Sequence, residues 1–469
     1  MLSLGIPVPP AFVVTTAVCR EYHDGGRVLP VGVLDEVTNA MADLERRAGR
    51  RFASDDRPLL VSVRSGAATS MPGMMDTILN LGMTASIERA LAVETGDADY
   101  AADTRRRFDE QFERVVGLAP PESPWTQLEF AIRAVLDSWH SKRALAYRQA
   151  RGIPDDGGTA VTVQAMVFGN LDDRSGTGVL FTRDPLSGAP QPYGEWLTRG
   201  QGEDVVSGRA DAQHLDDLLT AMSSVHRELL AAASVLERHG RDVQDIEFTV
   251  QSGKLWLLQS RSAKRTPQAA LRCAVRLEHE GVITRTEALD RITVDHVRAL
   301  QRPVLDPAGV AAAPPLASGK PASPGIATGV VVTDADQAED LADDGQSVIL
   351  ARPTTDPDDV AAMSASVAVL TELGGSTSHA AVVCREMAIP CVVGCGVDTV
   401  TALAGTVVTV DADNGTVHAG ALPVAPAVAT DDADMRTLEG WLRDEFGDRD
   451  PATEVIALMR RHHEGLENR

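Results

Sequence analysis

Gly374-Gly375-Ser376-Thr377-Ser378-His379-Ala380-Ala381-Val382-Val383 is the stretch from which the rest of the chain can be read. An apolar, β-type run at 367–370 leads into it. Two glycines then turn the chain, three small hydroxyl residues follow, and 380–388 is rich in helix formers. His379 is therefore expected in the first turn of a helix, at the edge of a loop. Backbone N–H groups there have no intrahelical partner, and the helix dipole is positive. A phosphoryl group carried on the imidazole would sit in a setting suited to an anion.

The chain around it is long enough, at 469 residues, for two to four domains. With 44 Lys and Arg against 67 Asp and Glu, the net charge is −23, which argues against a general nucleic-acid or membrane-surface binder. An anionic substrate must then be met by local arginines. Aromatic residues make up 4%, too few for a base-stacking platform. The five cysteines are odd in number and irregularly spaced, with no CxxC, which fits a reducing cytoplasm. Prolines at 7, 9 and 10 interrupt the apolar start, so no signal peptide is read there, and no uncharged apolar run reaches membrane-spanning length.

Upstream, a strand candidate at 59–63 ends at Arg64 and opens a glycine- and hydroxyl-rich loop, 65–76. Small residues let backbone N–H groups approach phosphate oxygens, and an arginine adds a bidentate donor. The same composition also suits an ordinary strand-to-helix connection. Helices are expected at 17–22, 34–50, 85–118, 125–150 and 215–239; Arg143 and Arg148 on the fourth could face a ligand, with a solvated face the default.

Residues 245–250 and 254–261 alternate polar with apolar around the turn Gln251-Ser252-Gly253 and read as a hairpin. Alternation puts Asp245 and Glu247 on one face of the first strand, and Gln259 and Arg261 on one face of the second. Hard oxygen donors beside a guanidinium suit a Mg²⁺-nucleotide; the polar outer face of a half-exposed hairpin would look the same. A Pro/Ala-rich segment at 303–315 marks the best boundary in the chain. Alternating strands and helices after it predict a compact α/β domain of about 110 residues. The paired histidines at 462 and 463 are expected to be solvated in a charged tail.

Eight segments then come in order: VSVRSGAATSMPGMMDTILNLG (61–82), VQAMVFGN (163–170), SGTGVLFTRDP (175–185), QGEDVVSG (201–208), DIEFTV (245–250), LLQSRSAKRTPQAA (257–270), ASPGIATG (322–329) and GGSTSHAAVV (374–383). Together they resemble the nucleotide-binding and phosphohistidine domains of the pyruvate, phosphate dikinase family. The resemblance implies an α+β and α/β multidomain chain, an ATP-grasp nucleotide-binding domain followed by a swivelling β/α phosphohistidine domain. The expected division is an N-terminally short ATP-grasp domain at 1–265, a helical and Pro/Ala-rich linker at 266–315, a phosphohistidine (phosphoenolpyruvate-utilising, mobile) domain at 316–424 and a charged helical tail at 425–469.

The resemblance also assigns roles. His379 would be the phosphocarrier nucleophile. Arg64, Asp245, Glu247, Gln259 and Arg261 would bind the nucleotide phosphates, with Glu247 and Gln259 on Mg²⁺. The loop with Ser70, Met71 and Gly73 would cover the phosphates. Thr377 matches a threonine that some members carry phosphorylated as an off-switch. ATP, inorganic phosphate and pyruvate or phosphoenolpyruvate, or another small acceptor, are the implied small-molecule partners. Two departures stand out. The family's Gly-Gly-Lys-Gly segment is missing ahead of residue 4, and the residues after 424 are too few for the (β/α)₈ barrel that handles pyruvate. A separate barrel protein is one way to complete the reaction. The other readings are a phosphotransferase acting on another small molecule, like the rifamycin enzymes built from the same modules, and a degenerate non-catalytic regulator.

Overall fold

The computed structural model describes residues 1–69, 71, 74–202, 204, 213–301, 304–425, 432–450 and 453–467. The chain is a mixed α/β protein with several sheets. It divides into two compact units: Met1–Thr177 with Thr198–Gln201 and Thr249–Leu258, and Gly178–Leu197 with Gly202–Phe248 and Gln259–Arg469.

In the first unit, four strands form an antiparallel sheet in the order Ala11–Val14, Ala160–Ala165, Val61–Gly66, Thr77–Leu81. The two long helices expected at 85–118 and 125–150 are each broken. Gly96 takes a left-handed φ of 70° and ends Ala85–Thr95, and the Asp97 carboxylate then caps Ala98–Val116 by accepting from the Tyr100 N–H. Ser141 caps Lys142–Arg151 in the same way, after Pro124–Ser138 has ended. Side-chain capping outcompeted the continuous apolar period that the sequence displays. Arg148 does not lie on a solvated face. It is fully buried, donates to Asp155 (2.8 Å) and the Trp139 carbonyl (2.6 Å), and stacks 4.1 Å from the Trp139 ring. Arg143 is held by Asp76 and by the Met74 carbonyl (3.1 Å), at the end of the glycine-rich loop.

The second unit carries most of a five-stranded sheet, ordered Gln213–His214, Tyr193–Thr198, Gly176–Phe181, Gln244–Gln251, Lys254–Ser262. The segment 267–300 packs as three helices, Pro267–His279, Arg285–Asp290 and Val294–Leu300, around Leu271, Ala274, Leu277 and Val297. The C-terminal helices Ala433–Phe446 and Val455–Glu467 close the same core with Leu438, Leu442, Leu458 and Met459. Their amphipathic period is what the sequence shows as a charged tail. His462 is correspondingly buried, not solvated: Nδ1 meets Glu445 at 2.9 Å and Nε2 meets Asp290 at 2.9 Å.

Residues 315–419 build an eight-stranded sheet ordered Pro315–Ser318, Thr416–Ala419, Val407–Asp411, Ile326–Val332, Val348–Arg352, Ala368–Thr371, Cys391–Val393, Lys320–Ser323. The middle run from Ile326–Val332 to Cys391–Val393 is parallel. Parallel neighbours need crossovers, and Ala335–Asp343, Val360–Ala365 and His379–Met387 supply them. Val331, Ile349, Leu370, Val392 and Val410 make this domain's core.

One buried cation ties the elements of the second unit. Arg183, at the end of strand Gly176–Phe181, is 5% exposed and meets Glu237 (2.8 Å) and Glu280 (2.5 Å) on two different helices' ends. Its two carboxylate partners push its pKa up against the opposing effect of burial. Replacing it strands a mostly buried Glu237 carboxylate. Arg183→Met should therefore lower stability by about 3 kcal/mol, read as a shifted urea midpoint at unchanged slope. An unchanged midpoint would show that the bridge contributes nothing.

Candidate active site

Strand Ala368–Thr371 is buried along its whole length and delivers the chain to a turn in which Gly374 has φ 108°, a value that favours glycine. The Ser378 N–H returns to the Gly375 carbonyl (3.1 Å), and helix His379–Met387 begins. Ser378 is the N-cap, with extended φ −62°, ψ 162°, but its hydroxyl caps nothing. His379 is 9% exposed. Its Nδ1 lies 3.4 Å from Thr355 Oγ1, which comes from the loop after the neighbouring parallel strand Val348–Arg352. Both groups thus stand at the carboxyl ends of adjacent parallel strands, the usual place for function in an open α/β sheet. In the tautomer whose Nδ1–H donates to Thr355, the lone pair is left on Nε2.

The hydroxyl loop is seated on strand Tyr193–Thr198 of the same unit. Glu195, 6% exposed, accepts a short hydrogen bond from Thr377 Oγ1, and the Tyr193 hydroxyl meets Ser376 Oγ. The Glu195 carboxylate occupies the place a Cβ on Gly375 would need, so this glycine is set by close approach, not by its backbone angles. Burial pushes the Tyr193 phenol's pKa up, so it stays protonated and able to donate. Further along the helix, Glu386 meets Lys264 Nζ at 2.5 Å.

The hairpin Gln244–Gln251 with Lys254–Ser262 supplies the remaining groups. Asp245 is 3% exposed and accepts from Arg261 Nε at 2.8 Å. Burial pushes the Asp245 carboxyl up, opposed by Arg261; Arg261 is itself raised, since Asp245 and Glu247 outweigh its burial. This contact places Asp245 and Arg261 on one face. Strand alternation adds Glu247 and Gln259 to it, both half-buried.

Among the described residues no cluster of three or more His, Cys, Asp or Glu could cage a metal ion. A carboxylate and an amide oxygen, with Asp245 already committed to Arg261, fit Mg²⁺. That ion keeps waters and is held by one or two protein oxygens plus substrate phosphates.

Of the residues singled out in the sequence, His379, Thr377, Asp245, Glu247, Gln259 and Arg261 fall in the second unit. Arg64 belongs to the first, on strand Val61–Gly66 opposite Thr162 and Thr77, with buried Met71 beyond that strand. Ser70 and Gly73 lie outside the described residues. Sequence reasoning assigned no role to Tyr193, Glu195, Lys264, Thr355, Arg385 or Glu386. A signal existed for Glu195, an acid between Gly194 and Trp196 in a strand that is otherwise mostly apolar, and for Arg385 and Glu386, charges in a helix whose residues through 386 are all buried.

Two parts of the chain match known protein families. Residues 26–219 match the family described as pyruvate phosphate dikinase, AMP/ATP-binding domain, and 345–415 match the mobile domain of PEP-utilising enzymes. The chain is 41% identical to pyruvate, phosphate dikinase of Rhizobium meliloti (strain 1021) over 90% of its length and 55% of that protein's. It is 39% identical to pyruvate, phosphate dikinase 2 of Zea mays, over 95% of this chain and 57% of the relative. With the Clostridium symbiosum enzyme the identity is 41%, over 84% and 51%. The chain thus spans about half the length of the curated relatives it matches.

The seat can be tested at its tightest point. Gly375→Ala should push the loop off Glu195 and expose the neighbouring Trp196, now 1% exposed. Its fluorescence should shift red and become more quenchable by acrylamide, a change lost in a Trp196→Phe background. An unaltered spectrum would mean the loop tolerates a Cβ there.

Proposed function

The chain belongs to the pyruvate, phosphate dikinase family, and on that premise we propose that it is an ATP-dependent phosphotransferase working through a phosphohistidine at His379. The observation that carries the reading is the seating of the His379 loop on Glu195, in the same compact unit as Asp245 and Arg261.

Nε2 of His379 attacks the β-phosphorus of ATP. The N–P bond forms as the bond to the bridging oxygen of AMP breaks, and AMP leaves with the electron pair. The γ-phosphoryl passes to an oxygen of inorganic phosphate, giving pyrophosphate and leaving one phosphoryl on the ring. Neutral imidazole is a competent nucleophile near pH 7, and its phosphoramidate keeps a high transfer potential. Thr355 orients the ring through Nδ1, and the helix start stabilises the incoming charge. Such transfer depends on positioning and charge neutralisation more than on covalent chemistry. Arg261 and Arg64 bind phosphate oxygens in this reading, and the loop with Ser70, Met71 and Gly73 covers them. Glu247 and Gln259 would hold Mg²⁺, which neutralises phosphate charge when bound.

Pyruvate, or another small acceptor, would then receive the phosphoryl group. Among the described residues no helix is long and apolar enough to cross a membrane, and we place the reaction in the cytoplasm. Phosphorylation of Thr377 would set about −1.5 to −2 charges against Glu195 and unseat the helix, so modification there would act as an off-switch.

Incubation with β-³²P-labelled ATP, Mg²⁺ and phosphate should give acid-labile label in the native protein and none in His379→Ala. Thr355→Val should be labelled more slowly, by about tenfold, with little change in KM for ATP. Absent label in the native protein, or equal label in His379→Ala, would end this reading.

A further inference from the structure

The helix that begins with His379 carries a charge that the chemistry above does not use. Arg385 is fully enclosed, at 4% exposure. Nη1 donates to the Ala322 carbonyl at 3.1 Å, and the guanidinium lies 6.0 Å from the Phe181 ring. Nε and Nη2 are buried and make no hydrogen bond. These two nitrogens form one edge of the guanidinium, the side-on fork that matches two oxygens of an oxyanion. Arginine does not shed its proton in a protein, so the fork is charged even though burial pulls its pKa down.

The groups acting electrostatically on Arg385 are Asp245, Cys391, Tyr193 and Cys384, with Asp245 foremost. The Cys384 thiol and the Tyr193 phenol are neutral near pH 7, since burial raises both pKa values above their ordinary ones. Asp245 is the one carboxylate among them. Its Oδ2 is committed to Arg261, while Oδ1 is buried and makes no hydrogen bond. A charged fork without an acceptor and a carboxylate oxygen without a donor thus stand in the same enclosed region of the second unit. One is on the histidine helix and the other on the nucleotide hairpin. Burying either alone is costly; facing one another offsets part of that cost.

We propose that Arg385 is a positioning residue. Its Nε/Nη2 edge addresses Asp245 Oδ1 through one water, and registers the His379 helix on the hairpin that carries Glu247 and Gln259. Arg385 touches neither phosphate nor imidazole in this role. It shares Asp245 with Arg261, so the hairpin's charge balance changes when the helix is seated. With Lys264 on Glu386 and Glu195 on Thr377, the pair fixes the helix at three separated points, which determines its rotation as well as its place.

The inference rests on the proposed phosphohistidine reading only for its kinetic test. In Arg385→Met, labelling of His379 from ATP, Mg²⁺ and phosphate should slow by at least about tenfold at nearly unchanged KM for ATP. Labelling by phosphoramidate, a small donor that needs only the imidazole, should match the native rate. Arg385→Lys, which keeps the charge, should recover part of the loss. Equal ATP labelling in native protein and Arg385→Met, or loss of both labelling routes together, would overturn the assignment.

Hydrogen exchange needs no substrate and separates this inference from the functional reading. Arg385→Met should raise exchange in 379–387 and in 254–262 while strands Val348–Arg352 and Ala368–Thr371 keep native protection. Unchanged exchange in 254–262, or a uniform rise across the mobile domain, would contradict it even if the native protein takes label from ATP as expected.

Discussion

A carboxylate taken out of water must find donors, and Glu195 finds one in the Thr377 hydroxyl. That single requirement organises the site. It demands a glycine at 375, because the carboxylate fills the space of a side chain there, and it places the hydroxyl two residues before His379. The position of the imidazole is set by the register in which the loop before it is seated. The small hydroxyl residues of the loop are thus chosen for reach as much as for turning the chain.

The seat is built to be reversible. The histidine-bearing domain has its own core of Val331, Ile349, Leu370, Val392 and Val410 around an eight-stranded sheet. Polar contacts join it to the strand and to the residues after the hairpin: Thr377 with Glu195, Ser376 with Tyr193, and Glu386 with Lys264. Net contributions of such bonds are about 1 kcal/mol each, rising to about 1.5–3 kcal/mol where one partner is charged, because water competes for every group. Polar contacts of this kind specify one orientation sharply without fixing it permanently. A carrier that takes a group at one place and gives it up at another needs both properties.

Much of this was legible in the residues. The two glycines, the hydroxyl run and the helix formers put His379 at a helix start, and the structure has it there. Alternation around Gln251-Ser252-Gly253 gave the hairpin and the shared face of Asp245 and Arg261, borne out by their contact. Periodicity failed where capping competed with it, at Gly96-Asp97 and at Ser141. It also misjudged the C-terminal helices, whose apolar positions cover the second unit's core and bury His462 between Glu445 and Asp290. Glu195 and Arg385 left only a faint local signal and Lys264 none, for a different reason. Their importance lies in partners far away in the chain, from the Lys264–Glu386 pair to the bond between Glu195 and Thr377. Local pattern carries no information about such pairs.

The most direct test is to join the two halves of the seat covalently. In a Glu195→Cys, Thr377→Cys protein, mild oxidation should form an intramolecular disulfide between the strand and the histidine loop, seen as the loss of two thiols without a change in chain number. All five native cysteines are buried, which keeps the background low. The account predicts that this bond forms readily, and that a Glu195→Cys protein paired with a cysteine on the far edge strand, Leu316→Cys, gives none. If both pairs crosslink alike, or neither does, the His379 loop is not seated on Glu195 and the account fails.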